Sequence, residues 1–433
     1  MEIRSLRNIW IAGLLLAILF ITLPNQGLSK TVKSSKNTKS KQARTHQKTP
    51  SPQAIKNAQG DQGILHFDAQ SAVLMDGLTG QVLYEQNPQL RIGPASFVKI
   101  LTLYLTFDAL RSGQLRMEDM VTVSERAWRT QGSKMFIKVG DRVRVEDLLK
   151  GVAIASGNDA CIALAEHLSG SEEVFVTKMN EKAKLLGLKD SQFRNADGMP
   201  ADGQYTTAMD MAILSLRYIE DHPEALSFHS TTEFEYNGIR QGNRNTLLQK
   251  NIGVDGLKTG HVEESGYHLT ATAKRDSQRM IAVVMGCDKM RKRAQEAQKL
   301  LEYGFKNFST VEAVKKGAPF GPVKVRRGKV KEVTLIAEGD ARVTVAKGKE
   351  KAVSVIPQLP PNIVAPIQKG QVLAKILVQN EGKVVKEVSL ISSSNVEKSI
   401  LPSWPVIGAG ILGVAIIGLI GFWWTRRPRR KKF

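Results

Sequence analysis

Ser96 and Lys99 stand three positions apart in Pro94-Ala95-Ser96-Phe97-Val98-Lys99. On a helix, positions i and i+3 share a face, so an amine at 99 can reach a hydroxyl at 96. A serine hydroxyl becomes a nucleophile when a base takes its proton. A lysine is such a base only where burial or a second cation depresses its pKa. The same residues also read as a helix start with a surface lysine. Two further motifs follow. Ser156-Gly157-Asn158 sits between two apolar segments, where either polar residue also serves as a helix cap. Lys258-Thr259-Gly260, followed by His261, opens a strand-rich stretch, where it also reads as a turn. Each tripeptide is common alone. Their order and settings together specify a nucleophile at a helix start, a polar loop and a lysine on an edge strand.

Elements must hold these residues in place. Gln70 to Met75 and Gln81 to Glu85 read as strands joined by the turn Asp76-Gly77-Leu78-Thr79-Gly80. Ala95 to Leu110 reads as a helix, with apolar residues at Ile100, Leu103, Tyr104, Phe107 and Leu110 and a stop at Gly113. Val145 to Ile154, Asp159 to Leu168 and Thr206 to Ile219 read as further helices. Gly266 to Ala273 and Met280 to Met285 are apolar strands, and Arg291 to Phe305 is a closing helix. Strands, then helices, then strands again imply one sheet whose edges come from both ends of the domain. Residues 311–395 have no helical pattern. Alternation in Val323-Lys324-Val325 and Val343-Thr344-Val345, and a hairpin around Asn380-Glu381-Gly382, predict a small all-β domain.

The formal net charge of +21 invites a nucleic-acid reading until it is located. Residues 30–62 hold eight basic residues and one Asp, and residues 426–432 hold six basic residues. These two segments carry 13 of the 21 charges, so no nucleic-acid partner is expected. Residues 30–62 are also poor in large apolar residues and read as a flexible linker. Two cysteines in 433 residues exclude a disulfide-stapled scaffold, and no metal-ligand spacing is present. Cys161 and Cys287 read as small core residues, and a disulfide between them, which an exported location would permit, is the other reading.

Both ends predict a membrane connection. Arg4 and Arg7 followed by the apolar run Ile9 to Leu23 read as a signal peptide over 1–29. An uncleaved anchor is the other reading. Trp404 to Trp424 is uncharged, bounded by tryptophans and followed by a basic tail at 425–433. It predicts a transmembrane helix with the tail inside and the rest of the chain outside.

The motif set SxxK, SGN and KTG, in this order, resembles that of the serine penicillin-recognising enzymes. Ala155-Ser156-Gly157-Asn158-Asp159-Ala160, Tyr205-Thr206-Thr207-Ala208, Asn243-Arg244-Asn245 and Val254-Asp255-Gly256-Leu257-Lys258-Thr259-Gly260-His261 narrow the resemblance. They look like the D-alanyl-D-alanine carboxypeptidases, low-molecular-mass penicillin-binding proteins of the bacterial envelope, over residues 64–308. Val262 departs from a threonine common in the family at that position. The fold implied is α+β: a β-lactamase/transpeptidase-like domain at 63–308, an antiparallel sheet with helices. The small all-β domain at 311–395 and the transmembrane helix at 404–424 follow it.

That resemblance also implies roles. Ser96 would attack the D-Ala-D-Ala carbonyl of a peptidoglycan stem peptide, with Lys99 as base and Ser156 relaying a proton to the departing D-alanine. Lys258 and Thr259 would hold the substrate carboxylate, and Asn158 its peptide. Backbone N–H groups of Ser96 and His261, next to Gly260, would bind the oxyanion. No metal or organic cofactor is implied. Beta-lactams would be covalent inhibitors, and the inner membrane would hold the chain through the C-terminal helix. The catalytic domain would lie on the periplasmic or extracellular side of the bacterial cytoplasmic membrane. A D,D-endopeptidase uses the same residues. A class A β-lactamase needs a loop glutamate in an E-x-x-L-N pattern, absent between Ser156 and Lys258. A non-enzymatic scaffold would be expected to carry a broken motif, and none is broken.

Overall fold

The computed structural model describes residues 65–399 and 404–426. The signal peptide expected at 1–29, the linker at 30–62 and most of the basic tail lie outside them. Five strands build the sheet that carries the candidate site. They are β1 (Ser71–Asp76), β2 (Val82–Gln86), β3 (Val254–Val262), β4 (Gly266–Arg275) and β5 (Gln278–Cys287). Their spatial order is β2-β1-β5-β4-β3, antiparallel throughout. Both edges therefore come from opposite ends of the domain sequence, with Lys258 on the edge strand β3, opposite Thr270.

Successive strand residues point to opposite faces, and both faces of this sheet are covered. Val73, Met75, Ile281, Val283 and Met285 join one apolar core. Helices α1 (Val98–Arg111), α2 (Val145–Lys150), α3 (Asn158–Ser169), α4 (Glu172–Leu186) and α5 (Ala208–Asp221) supply much of the rest of it. Ala72, Leu74, Met280, Ala282 and Val284 join a second core, sealed by α6 (Met290–Asn307) through Ala297, Leu300, Leu301 and Phe305. Two-sided burial explains why β5 reads as an unbroken apolar run, without polar alternation. Each fully buried Leu, Val or Ile there contributes about 1.5–3 kcal/mol relative to exposure.

Residues 308–392 form a second set of strands. A six-stranded sheet runs Val353–Gln358, Val372–Asn380, Lys383–Ser392, Glu332–Ala337, Pro319–Arg326, Asn362–Val364, and Phe308–Val314 pairs with Ala341–Ala346. Thr79 Oγ1 and Thr344 Oγ1 are 2.7 Å apart, and Gln278 Nε2 donates to Phe308 O at 3.0 Å, tying this part to the larger sheet.

The fold class expected from the sequence is corrected on two points. The catalytic domain is a mixed α/β unit with helices on both faces of one sheet, in place of an α+β division. Trp404–Thr425 is helical. Among the described residues no helix is long and apolar enough to cross a membrane, which overturns the transmembrane span expected over 404–424.

Candidate active site

Ser96 lies in a single 3₁₀ turn, Ala95–Phe97, that runs into α1. The helix is buried on nearly every side, and Lys99, in its first turn, is fully buried. Its Nζ lies 3.0 Å from Ser96 Oγ and 2.7 Å from Asn158 Oδ1, and it also donates to Asp197 O. A neutral amine has two N–H donors and one lone pair. Two of these three neighbours, Asn158 Oδ1 and Asp197 O, can only accept. With both N–H groups committed to them, the lone pair is left for the Ser96 hydroxyl. Burial pushes the Lys99 pKa down, which favours that neutral form.

Ser156 comes from the end of the second apolar helix. The helix Val145–Lys150 widens into a π-turn over Gly151–Ala155, and Ser156 then takes a left-handed conformation at φ 61°. That region is uncommon for a residue with a Cβ, and such strain concentrates at functional sites. It aims Ser156 Oγ at Ser96 Oγ, 3.2 Å away. Lys258 Nζ, from β3, donates to Ser156 Oγ at 3.0 Å and to Thr259 O at 3.3 Å. Lys258 is buried, and its pKa is pushed well down, first by burial and then by the charge of Lys99. The four groups form a line, Lys99–Ser96–Ser156–Lys258, along which a proton can travel.

Asn158 opens α3. Its Nδ2 donates to Gln131 O at 2.6 Å, and its backbone N donates to Ser133 O at 2.7 Å. The residue expected to touch substrate is thus mainly engaged in holding Lys99, with one Nδ2 proton left over. Neighbouring Asp159 ties down the same 133–137 segment by accepting from Met135 N at 2.8 Å and Phe136 N at 2.9 Å. Thr259 and Gly260 are buried on β3, while the exposed His261 ring stacks on Tyr267 with centroids 3.9 Å apart.

Three participants lack a sequence signature. Asp197 acts through its carbonyl, which any residue carries. Its loop is pressed against the nucleophile's turn so closely that a Cβ on Gly198 would lie 1.9 Å from Ala95 O. Glu172 is buried at the start of α4 and holds that loop, accepting from Ala196 N at 2.9 Å and from Arg126 at 2.5 Å. Arg293, on α6, donates to Gly260 O at 3.0 Å from beneath the sheet. A cavity of about 500 Å³, lined in part by Pro94, Ala95, Gly198, Val262 and Ser265, adjoins the turn that carries Ser96, but Ser96, Lys99, Ser156, Asn158, Lys258 and Thr259 do not line it. Cys161 and Cys287 are both buried free thiols, and burial pushes each up to about 12.

Residues 55–289 match the family described as D-alanyl-D-alanine carboxypeptidase, and residues 308–398 match the C-terminal domain of penicillin-binding protein 5. The D-alanyl-D-alanine carboxypeptidase DacC of Escherichia coli (strain K12) is 44% identical over 339 residues, covering 76% of this chain and 85% of its own. The crystal structure of penicillin binding protein 5 from Haemophilus influenzae is similar at a TM-score of 0.71 and 39% identity, covering 77% of this chain and 99% of that one. Penicillin-binding protein D2 from Listeria monocytogenes, solved in an ampicillin-bound form, is similar at a TM-score of 0.52 and 31% identity, covering 56% of this chain and 98% of that one.

Proposed function

The chain belongs to the D-alanyl-D-alanine carboxypeptidase family, and on that premise we propose that Ser96 is the nucleophile and Lys99 the base of a serine hydrolase. The activity is that of a D-alanyl-D-alanine carboxypeptidase. The observation that carries the residue assignment is the line of hydrogen bonds from Lys99 through Ser96 and Ser156 to Lys258.

Lys99 takes the Ser96 proton as Oγ attacks the carbonyl between two terminal D-alanines of a peptidoglycan stem peptide. The C–O bond forms and the carbonyl oxygen becomes an oxyanion, held by the N–H groups of Ser96 and His261. Ser156, hydrogen-bonded to Lys258, delivers a proton to the departing amine as the C–N bond breaks and is reprotonated with the proton that Lys99 took, which leaves Lys99 neutral. Lys258 and Thr259 hold the free carboxylate of the leaving D-alanine. Water then attacks the acyl-enzyme, its proton passes to the now neutral Lys99, and Lys99 returns it to Ser96 Oγ as the ester C–O bond breaks and the shortened peptide is released. A beta-lactam acylates Ser96 by the same attack, and its amine leaving group stays tethered in the adduct. The substrate places the catalytic domain outside the cytoplasm.

The test is one reaction mixture holding stem pentapeptide, a D-amino-acid acceptor and cross-linked muropeptide, read by mass spectrometry. Mainly tetrapeptide plus free D-alanine supports the assignment. Dominant exchange product, or dominant cleavage of the cross-link, overturns it in favour of a transpeptidase or an endopeptidase.

A further inference from the structure

Arg293 is a cation buried without a carboxylate. Its side chain is 5% exposed, and among the described residues it forms no ion pair. Burial lowers its pKa to about 10, which leaves it charged at neutral pH. An uncompensated buried charge is costly, so a fold that keeps one needs a reason. Arg279, a buried arginine on β5, has its carboxylate in Asp255 at 2.7 Å.

What Arg293 does have is a backbone partner on β3. Its Nη1 donates to Gly260 O at 3.0 Å. The Gly260 carbonyl and the His261 N–H belong to one planar, conjugated peptide unit. A charged donor on the carbonyl draws electron density toward oxygen and leaves the N–H more positive. Hydrogen bonds linked through a peptide strengthen one another, by about 10–30% per bond. Tyr267 lies beside both ends of this unit. The Arg293 guanidinium carbon is 5.6 Å from its ring centroid, and the His261 ring stacks on it.

We propose that Arg293 is a positioning residue that polarises the Gly260–His261 peptide from behind the strand and so strengthens the His261 N–H as an oxyanion donor. The inference rests on the reading above, in which that N–H faces the developing oxyanion. Arg293 touches neither substrate nor nucleophile. It acts through the backbone at the moment charge accumulates on the carbonyl oxygen, where preorganised donors act most strongly.

The test uses the full chain with Arg293→Met and Arg293→Lys, acylated by a beta-lactam carrying ¹³C at its reactive carbonyl. The readouts are the infrared stretch of the acyl ester and the acylation rate. In the unsubstituted protein the ester absorbs below its frequency in water, because the oxyanion donors polarise it. Arg293→Met raises that frequency and slows acylation about 3- to 10-fold. Arg293→Lys restores both toward the original values, since it keeps a charged donor. If Arg293→Met does not fold, Arg293→Gln supplies a neutral donor for the same comparison. A frequency unchanged in Arg293→Met, or in Arg293→Gln, with only the melting temperature lowered, overturns the proposal and leaves a structural strut. An ester absorbing at its water frequency in the unsubstituted protein removes the His261 donor itself, and the underlying reading with it.

Discussion

Lys258 Nζ donates a 3.0 Å hydrogen bond to Ser156 Oγ, and Ser156 Oγ lies 3.2 Å from Ser96 Oγ. With Lys99 on the far side of Ser96, two buried lysines bracket two hydroxyls. Two like charges so placed disfavour double protonation, so the pair titrates as a unit with at least one member neutral near physiological pH.

Penicillin labels Ser96. Ser96→Ala abolishes labelling, and Lys99→Ala lowers the acylation rate about 10²–10⁴-fold, the range that a general base supplies. Gel fluorescence with a labelled penicillin reads both. Labelling that survives Ser96→Ala sinks the assignment of the nucleophile.

The acid limb of kcat/KM reports loss of the neutral base. Burial lowers Lys99, so the limb lies below the ordinary lysine range. As pH falls through that depressed value, Lys99 takes a proton and can no longer accept one from Ser96. Lys258→Met removes a positive neighbour and eases protonation of Lys99, which moves the limb to higher pH. A limb that stays in place, or moves lower, contradicts electrostatic coupling of the two lysines.

Stability also falls with acid. His229 and His268 are buried, and burial lowers each to about 4. His229 Nδ1 lies 2.9 Å from Leu257 O, and His268 Nδ1 accepts from Gly286 N at 3.0 Å. The unfolded chain protonates these rings near ~6.5, while the folded chain resists until about 4. Between those values the unfolded state binds more protons, so stability is full above that window and lost as pH falls through it. The loss approaches about 1.4 kcal/mol per pH unit per histidine. Calorimetry between pH 7 and 4.5, above most carboxylate titrations, should show a steadily falling melting temperature. A flat profile contradicts the neutral burial of both rings.

Gly198→Ala and Gly187→Ala separate strain from collision. Both glycines have positive φ, +85° and +82°, but a Cβ at 187 meets nothing within 4 Å, whereas one at 198 meets Ala95 O at 1.9 Å. Gly187→Ala costs about 1–2 kcal/mol of backbone strain. Gly198→Ala adds displacement of the loop that carries the Asp197 carbonyl, so it also slows penicillin acylation more than tenfold. Equal acylation rates in the two variants contradict the role given to that loop.

The local parts of this site are legible in the sequence. Three-residue spacing on a helix brings an amine to a hydroxyl whatever surrounds it, so Ser96 and Lys99 are found without a structure. The apolar strands at Gly266 to Ala273 and Met280 to Met285, and the polar loop of Ser156 between two apolar segments, are likewise marked. The helix expected over Val145 to Ile154 ends instead in a π-turn, because the left-handed Ser156 is set by its long-range partners rather than by its own propensity. What makes Lys99 a base is not local at all. Its acceptors are Asn158 and the Asp197 carbonyl, separated from it by 59 and 98 positions, and a backbone carbonyl has no signature in a side-chain alphabet. Arg293 reaches Gly260 only because α6 packs beneath the sheet, and the sheet's helical cover on both faces is likewise invisible to patterns read one segment at a time. Sequence alone determined which groups could react. Tertiary packing decided their protonation and aim, because burial and hydrogen-bond partners that set a pKa come from distant parts of the chain.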